Sequence, residues 1–187
     1  MAAAVATALA NGIKPAYVTF SGNGEATAHP DFPAIVYEIK PIVRQLAPQA
    51  RLAILSNSCM VTKPEIISAL NELDVRIMKL DAGNEAMFSR MNRPAQGIGF
   101  DRMIDGLSRL DKVTIQTMFT CGTVDNSTDI QVADWLTCLK RIKPIRGQIY
   151  TCVRGHADPH LSTVPPERLT EIAATATREL GVPIESF

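Results

Sequence analysis

The sequence predicts an α/β protein built on a parallel sheet of five β–α units, on two observations. Short β-rich apolar runs alternate with helical stripes along the whole chain, and polar residues gather at the carboxyl ends of those runs. Successive β–α units imply right-handed crossovers and therefore parallel strands. Periodicity alone leaves open whether such a sheet closes as a barrel or stays open and doubly wound.

The 187 residues suffice for one domain with a sizeable core, and 46% apolar with 20% charged residues is ordinary for a globular chain. Lysine plus arginine equal aspartate plus glutamate, 19 against 19, so no long-range field draws the chain to nucleic acid or an anionic membrane. No apolar run approaches the ~20 residues needed to span a bilayer. The alanine-rich opening lacks a basic leader region and reads as a helix capped at Asn11-Gly12, so a cytoplasmic location is expected.

The elements follow in order. The first strand is Ala16 to Ser21, stopped by Gly22-Asn23-Gly24. A helix from Asp31 to Ala47 carries Phe32, Ile35, Ile39, Ile42, Val43 and Leu46, with a kink expected at Pro41. Leu52 to Leu55 is a buried strand ending in Ser56-Asn57-Ser58. Thr62 and Glu65 have capping-box spacing before a stripe of Ile66, Leu70 and Leu73. Val75 to Asp81 is the third strand. A loop through Arg93-Pro94 leads to a helix carrying Phe100, Met103, Ile104, Leu107 and Leu110. Lys112 to Phe119 and Gln148 to Arg154 are the last two strands, and helices from Asp129 to Ile142 and from Pro165 to Leu180 follow them. Trp135 falls on a buried stripe and reads as core.

Alternation puts Tyr17, Thr19 and Ser21 on one strand face, with Lys79 and Asp81, Thr114 and Gln116, and Gln148, Tyr150, Cys152 and Arg154 on the corresponding faces. Burying Lys79, Asp81 or Arg154 alone would cost several kcal/mol, so each must meet another charge, water or a ligand. An internal ion-pair layer and a ligand site at the strand tips both satisfy that demand. Gly22-Asn23-Gly24-Glu25 directly after a strand reads either as an ordinary strand-to-helix turn or as a loop whose glycines allow close backbone approach to a ligand. Its carboxylate suits an ammonium group and would repel phosphate. Arg90 and Arg93 read either as a clamp for an acidic substrate or as a paired loop. His156 and His160, in a proline-interrupted loop, read as solvated rather than as metal ligands.

Thr19 to Glu25 followed by His29 to Phe32 resembles the second-strand motif of the radical S-adenosylmethionine superfamily, in its Fe–S oxidoreductase branch related to the wyosine-forming and molybdenum-cofactor-type enzymes. Ile54 to Ser58, Lys79 to Ala82, Arg90 to Pro94, Ile115-Gln116, and Ile149-Tyr150 with Arg154 support the resemblance. It implies a partial (β/α) barrel. It also implies that Gly22, Asn23, Gly24 and Glu25 bind the methionine amino group of S-adenosylmethionine, and that Ser56 and Asn57 approach its carboxylate or ribose. Asp81 and Gln116 would then face ribose and adenine, and Tyr150 and Arg154 would line the deeper cavity. Ala26 stands where the family usually has proline.

The family also carries a 4Fe–4S cluster on three cysteines spaced C-x-x-x-C-x-x-C after its first strand. Cys59, Cys121, Cys138 and Cys152 do not have that spacing. Residues 1–187 therefore read as a single truncated radical-SAM-like barrel domain lacking the first strand, with no metal ligands assigned and no radical activity expected. Two other readings stand beside it: a cluster-free regulatory module binding S-adenosylmethionine or a related nucleoside, and a (β/α) lyase or hydrolase using Lys79, Asp81 and Tyr150. Without a preceding strand, Ala16 to Ser21 becomes an edge, from which a homo-oligomer is expected.

Overall fold

The computed structural model describes residues 1–22, 24–152 and 161–187. Asn23, Val153, Arg154 and the His156–His160 loop lie outside the described residues. Helix α1 (Ala2–Ala10) ends at Asn11 as expected and leads into strand β1 (Tyr17–Phe20). A 3-10 turn at Ala26–Ala28 precedes α2 (Phe32–Leu46) and β2 (Arg51–Ser56). Then come α3 (Pro64–Asn71), β3 (Val75–Lys79), α4 (Glu85–Asn92), α5 (Phe100–Leu107) and β4 (Val113–Gly122). The chain continues with α6 (Asp129–Ile142), β5 (Arg146–Thr151), β6 (Leu161–Thr163), α7 (Pro166–Leu180) and β7 (Ile184–Ser186).

Six strands pair in parallel in the order β1-β2-β3-β4-β5-β7, and β6 lies antiparallel to the end of β4. Spatial order follows chain order with no reversal. A doubly wound sheet reverses at its switch point, so the progression here is that of a barrel wall. Burial alternates along β3 and β5, with Met78, Ile149 and their like shut against the helices. The other parity is half-buried or open, and Leu55 on that face is 44% exposed. The helices therefore cover one face, and the wall leaves a concave face uncovered.

Four sequence readings are corrected. Five strands become seven among the described residues, because β6 and β7 are three residues each and carry no readable period. The segment leading to Arg93-Pro94 contains α4, whose Asn84 cap accepts the Met87 N–H, and Arg93 is its left-handed terminus. The Thr62 capping box does not form: Lys63 is the N-cap of α3 and makes no side-chain cap. The third strand stops at Lys79, so Asp81 lies just past its tip. Helix α2 runs on through Pro41, which faces solvent, so the carbonyl it deprives, on exposed Tyr37, can turn to water.

Candidate functional site

Strand tips β1 and β2 are tied together by one carboxylate. Glu25 Oε1 accepts from the Thr27 amide at 3.0 Å, from the Thr27 hydroxyl and from the Ser56 hydroxyl at 2.8 Å. Its Oε2 accepts the Asn57 N–H at 2.6 Å. Asn57 Oδ1 in turn caps the Cys59 amide at 3.0 Å, and Ser56 Oγ accepts the Ser58 N–H at 3.1 Å. Glu25, Ser56 and Asn57 thus converge, and much of the accepting capacity of Glu25 is used within the protein. Gly24, at φ +109°, sits where a side chain would strain the backbone, which holds the loop open beside Glu25.

A second cluster forms past β3. Asp81 is 5% exposed, and Lys79 Nζ donates to both its oxygens at 2.9 and 2.8 Å. The Met118 amide donates to Oδ1 at 2.8 Å and Asn92 Nδ2 to Oδ2 at 3.2 Å. Four charge-assisted bonds offset the cost of burying the carboxylate. Lys79 Nζ also stands over the Tyr150 ring, 5.6 Å from its centroid. Burial pulls the Lys79 pKa down, but Asp81 and Tyr150 outweigh it and hold it above the ordinary lysine value. Asn126 supports the arrangement from behind, its Nδ2 donating to the carbonyls of Asp81 and Met118 at 2.8 Å each. Gln116 reaches Gln148 at 3.3 Å on the concave face.

The structure therefore gathers Glu25, Ser56 and Asn57 into one group and Lys79, Asp81 and Tyr150 into another, with Gln116 on the strand between β3 and β5. Gly22, Gly24 and Glu25 also line a largely apolar cleft of about 370 Å³ with Val18, Phe20 and Phe32, which none of Ser56, Asp81, Gln116 or Tyr150 enters. Asn92 and Asn126 were missed as site residues. Asn92 lies within the Arg90–Pro94 segment and donates to Asp81, and among the described residues its Oδ1 is buried without a partner. Arg90 is committed elsewhere, donating to the Thr123 carbonyl at 2.7 Å. Trp135 is core, donating from Nε1 to Thr117 Oγ1 at 3.0 Å and meeting the Phe119 ring edge-on at 5.3 Å.

The thiols do not fit an iron–sulfur cluster. Cys59 follows the β2 tip, Cys121 ends β4 and Cys152 follows β5, while Cys138 is buried on α6 and donates to the Gly83 carbonyl at 3.2 Å. Burial pushes the Cys138 thiol up to about 11. Burial and Glu25 raise Cys59; burial, Asp125 and Cys152 raise Cys121. Among the described residues, no three acidic, histidine or cysteine side chains are grouped to hold a metal ion.

No family model matches the chain. It is 29% identical over 184 residues to the GTPase Obg of Brachyspira hyodysenteriae, covering 94% of this chain and 26% of that one. It is also 29% identical over 157 residues to a UPF0026 protein of Helicobacter pylori, covering 81% of this chain and 49% of that one. The chain thus spans from about a quarter to about half of these relatives. It contains no Gly-Lys-Ser/Thr triplet of a nucleotide-binding P-loop.

Solved structures agree on the fold. A radical SAM methyltransferase from Sphaerobacter thermophilus superposes at a TM-score of 0.67 with 15% identity, over 99% of this chain and 54% of that one. A domain of a pyruvate-formate lyase-activating enzyme from Bacteroides vulgatus gives 0.62 with 12% identity, over 91% of this chain and 98% of that one. Streptococcus suis SuiB bound to S-adenosylmethionine gives 0.63 with 12% identity, over 91% and 39%. The fold is the partial parallel barrel of radical SAM enzymes.

Proposed function

We propose that this radical-SAM-like wall binds S-adenosylmethionine, or a nucleoside related to it, at its strand tips, and that the stretch in hand does not itself generate a radical. The observation that carries the reading is the placement of the Glu25–Ser56–Asn57 and Lys79–Asp81–Asn92 groups at the carboxyl ends of adjacent parallel strands. Ligand sites of parallel β/α folds lie at those ends. The Gly22–Glu25 loop and Asn57 would hold the amino-acid end. S-adenosylmethionine supplies a sulfonium whose reductive cleavage needs an electron from a cluster. The chain lacks the C-x-x-x-C-x-x-C spacing, and its four thiols are dispersed. No step is therefore assigned to an iron centre on these residues, in keeping with a cluster-free binding module.

Two measurements test this. Titration calorimetry with S-adenosylmethionine is expected to give saturable binding, weakened about tenfold or more in Asp81→Asn, because that change strips a buried hydrogen-bonded charge from the tip. No heat at millimolar ligand would end the binding proposal. Anaerobic reconstitution with iron and sulfide is expected to leave the chain without a stoichiometric cluster, and reductive cleavage of S-adenosylmethionine would overturn the second half. The Schiff-base form of the lyase reading is disfavoured by Lys79. A Schiff base needs the free amine, whereas Asp81 and Tyr150 favour the ammonium.

A further inference from the structure

At the amino ends of the strands, opposite the tips, the concave face holds a separate cleft of about 370 Å³. Its floor is apolar, with Leu55 and Ile77, and three cations stand around it: Arg51, Lys112 and Arg146. Two acidic groups nearby are already committed. Asp74 also lines the cleft, but Arg44 donates to both its oxygens at 2.7 and 2.9 Å and the Leu52 amide to one of them at 2.7 Å. Glu185 takes only one arm of Arg146, whose Nε is buried with no acceptor. Arg51 lies 6.0 Å from the centroid of the Tyr17 ring and reaches only a carbonyl, that of Asp74, at 3.5 Å. Among the described residues Lys112 forms no ion pair, and its φ of +47° fixes it in a left-handed turn at the start of β4.

Three cations around an apolar floor make a recognisable recognition surface. Guanidinium groups favour flat or tetrahedral oxyanions. The aliphatic floor favours a ligand with an apolar body. We infer that this cleft binds a small oxyanion carried on an apolar body, a phosphate monoester or a carboxylate. The inference stands whether or not a nucleoside occupies the tips, since none of its residues belongs to either tip group.

Titration calorimetry at low and high salt, with phenyl phosphate, benzoate and inorganic phosphate as probes, tests it. Phenyl phosphate or benzoate is expected to bind more tightly than inorganic phosphate, and the stronger of the two identifies the acid group. Added salt should weaken either. Lys112→Asn keeps a residue that tolerates the left-handed turn and removes the charge. It is expected to weaken binding about tenfold while leaving the thermal midpoint within a few degrees. Absence of saturable binding by all three probes would overturn the inference, as would binding unchanged in both Lys112→Asn and Arg51→Gln. Inorganic phosphate binding as tightly as phenyl phosphate would remove the apolar body from it.

Discussion

Asp74 joins three segments: it accepts both bonds of the Arg44 fork from α2, receives the Leu52 amide of β2, and precedes β3. Burial alone would raise its pKa, but the Arg44 bonds, the Leu52 amide and the charges of Arg44 and Arg51 together lower it. A lowered carboxylate adds stability that is present above its unfolded pKa of ~3.9 and lost as pH falls through the folded value. Asp74→Asn is therefore expected to cost about 1–2 kcal/mol at neutral pH, a figure reduced for partial exposure, and less below about pH 4. Urea midpoints of both proteins between pH 6 and 3 check this, and parallel curves throughout would contradict it. Lys79 carries the opposite sign: its contribution is present below an unfolded pKa of ~10.4 and lost as pH rises through the raised folded value. Residues such as Lys79 and Asp81 were legible because alternation and the cost of burial demanded a partner. The four bonds on Glu25 were not, since two of them come from Ser56 and Asn57 on another strand, more than thirty positions away.

At the scale of elements, the β3–α4 connection shows what periodicity missed and why. Helix α4 buries only Met87 and Phe88, too few for a stripe to stand out, and its start depends on an Asn84 cap that sequence offers only as one polar residue among several. What fixes the connection is close approach rather than pattern. A Cβ placed on Gly83 would lie 2.1 Å from the Trp135 nitrogen and 2.4 Å from the Asp134 carbonyl carbon, so α6 rests directly on this backbone. Backbone atoms cannot swing aside as a flexible side chain does, so Gly83→Ala must push α6 off the wall. The expected cost is about 3 kcal/mol, a fall of roughly 6–12 °C in the thermal midpoint followed by circular dichroism. Gly99→Ala is the control: its Cβ would meet nothing nearer than Arg102 Nε at 3.5 Å, and it should melt within a few degrees of the parent. Equal melting of all three proteins would mean that α6 packs otherwise. The long stripes of α2, α6 and α7 were readable because each spans four turns against the sheet.

For the whole molecule, the parallel order of β1 to β5 was legible because each β–α unit permits only one crossover hand, whereas the uncovered concave face and the closing strand β7 depend on how the wall curves. The wall also has an open side. Among the described residues β1 pairs only with β2, so its other edge carries unpaired backbone groups. Beside that edge lies the apolar cleft lined by Met1, Val5, Val18, Phe20 and Phe32. A free edge beside an apolar groove favours strand addition: backbone pairing supplies direction and groove burial supplies free energy. With equal numbers of acidic and basic side chains, net repulsion does not oppose a second copy. We therefore predict self-association through β1 at high micromolar concentration, read by light scattering as at least twice the 20.3 kDa chain mass. Val18→Lys puts a charge in the groove and should return the chain to monomer while β2 to β5 hold the rest of the fold. A parent chain monomeric at that concentration, or a Val18→Lys chain of unchanged mass, would mean that the edge is not used between copies.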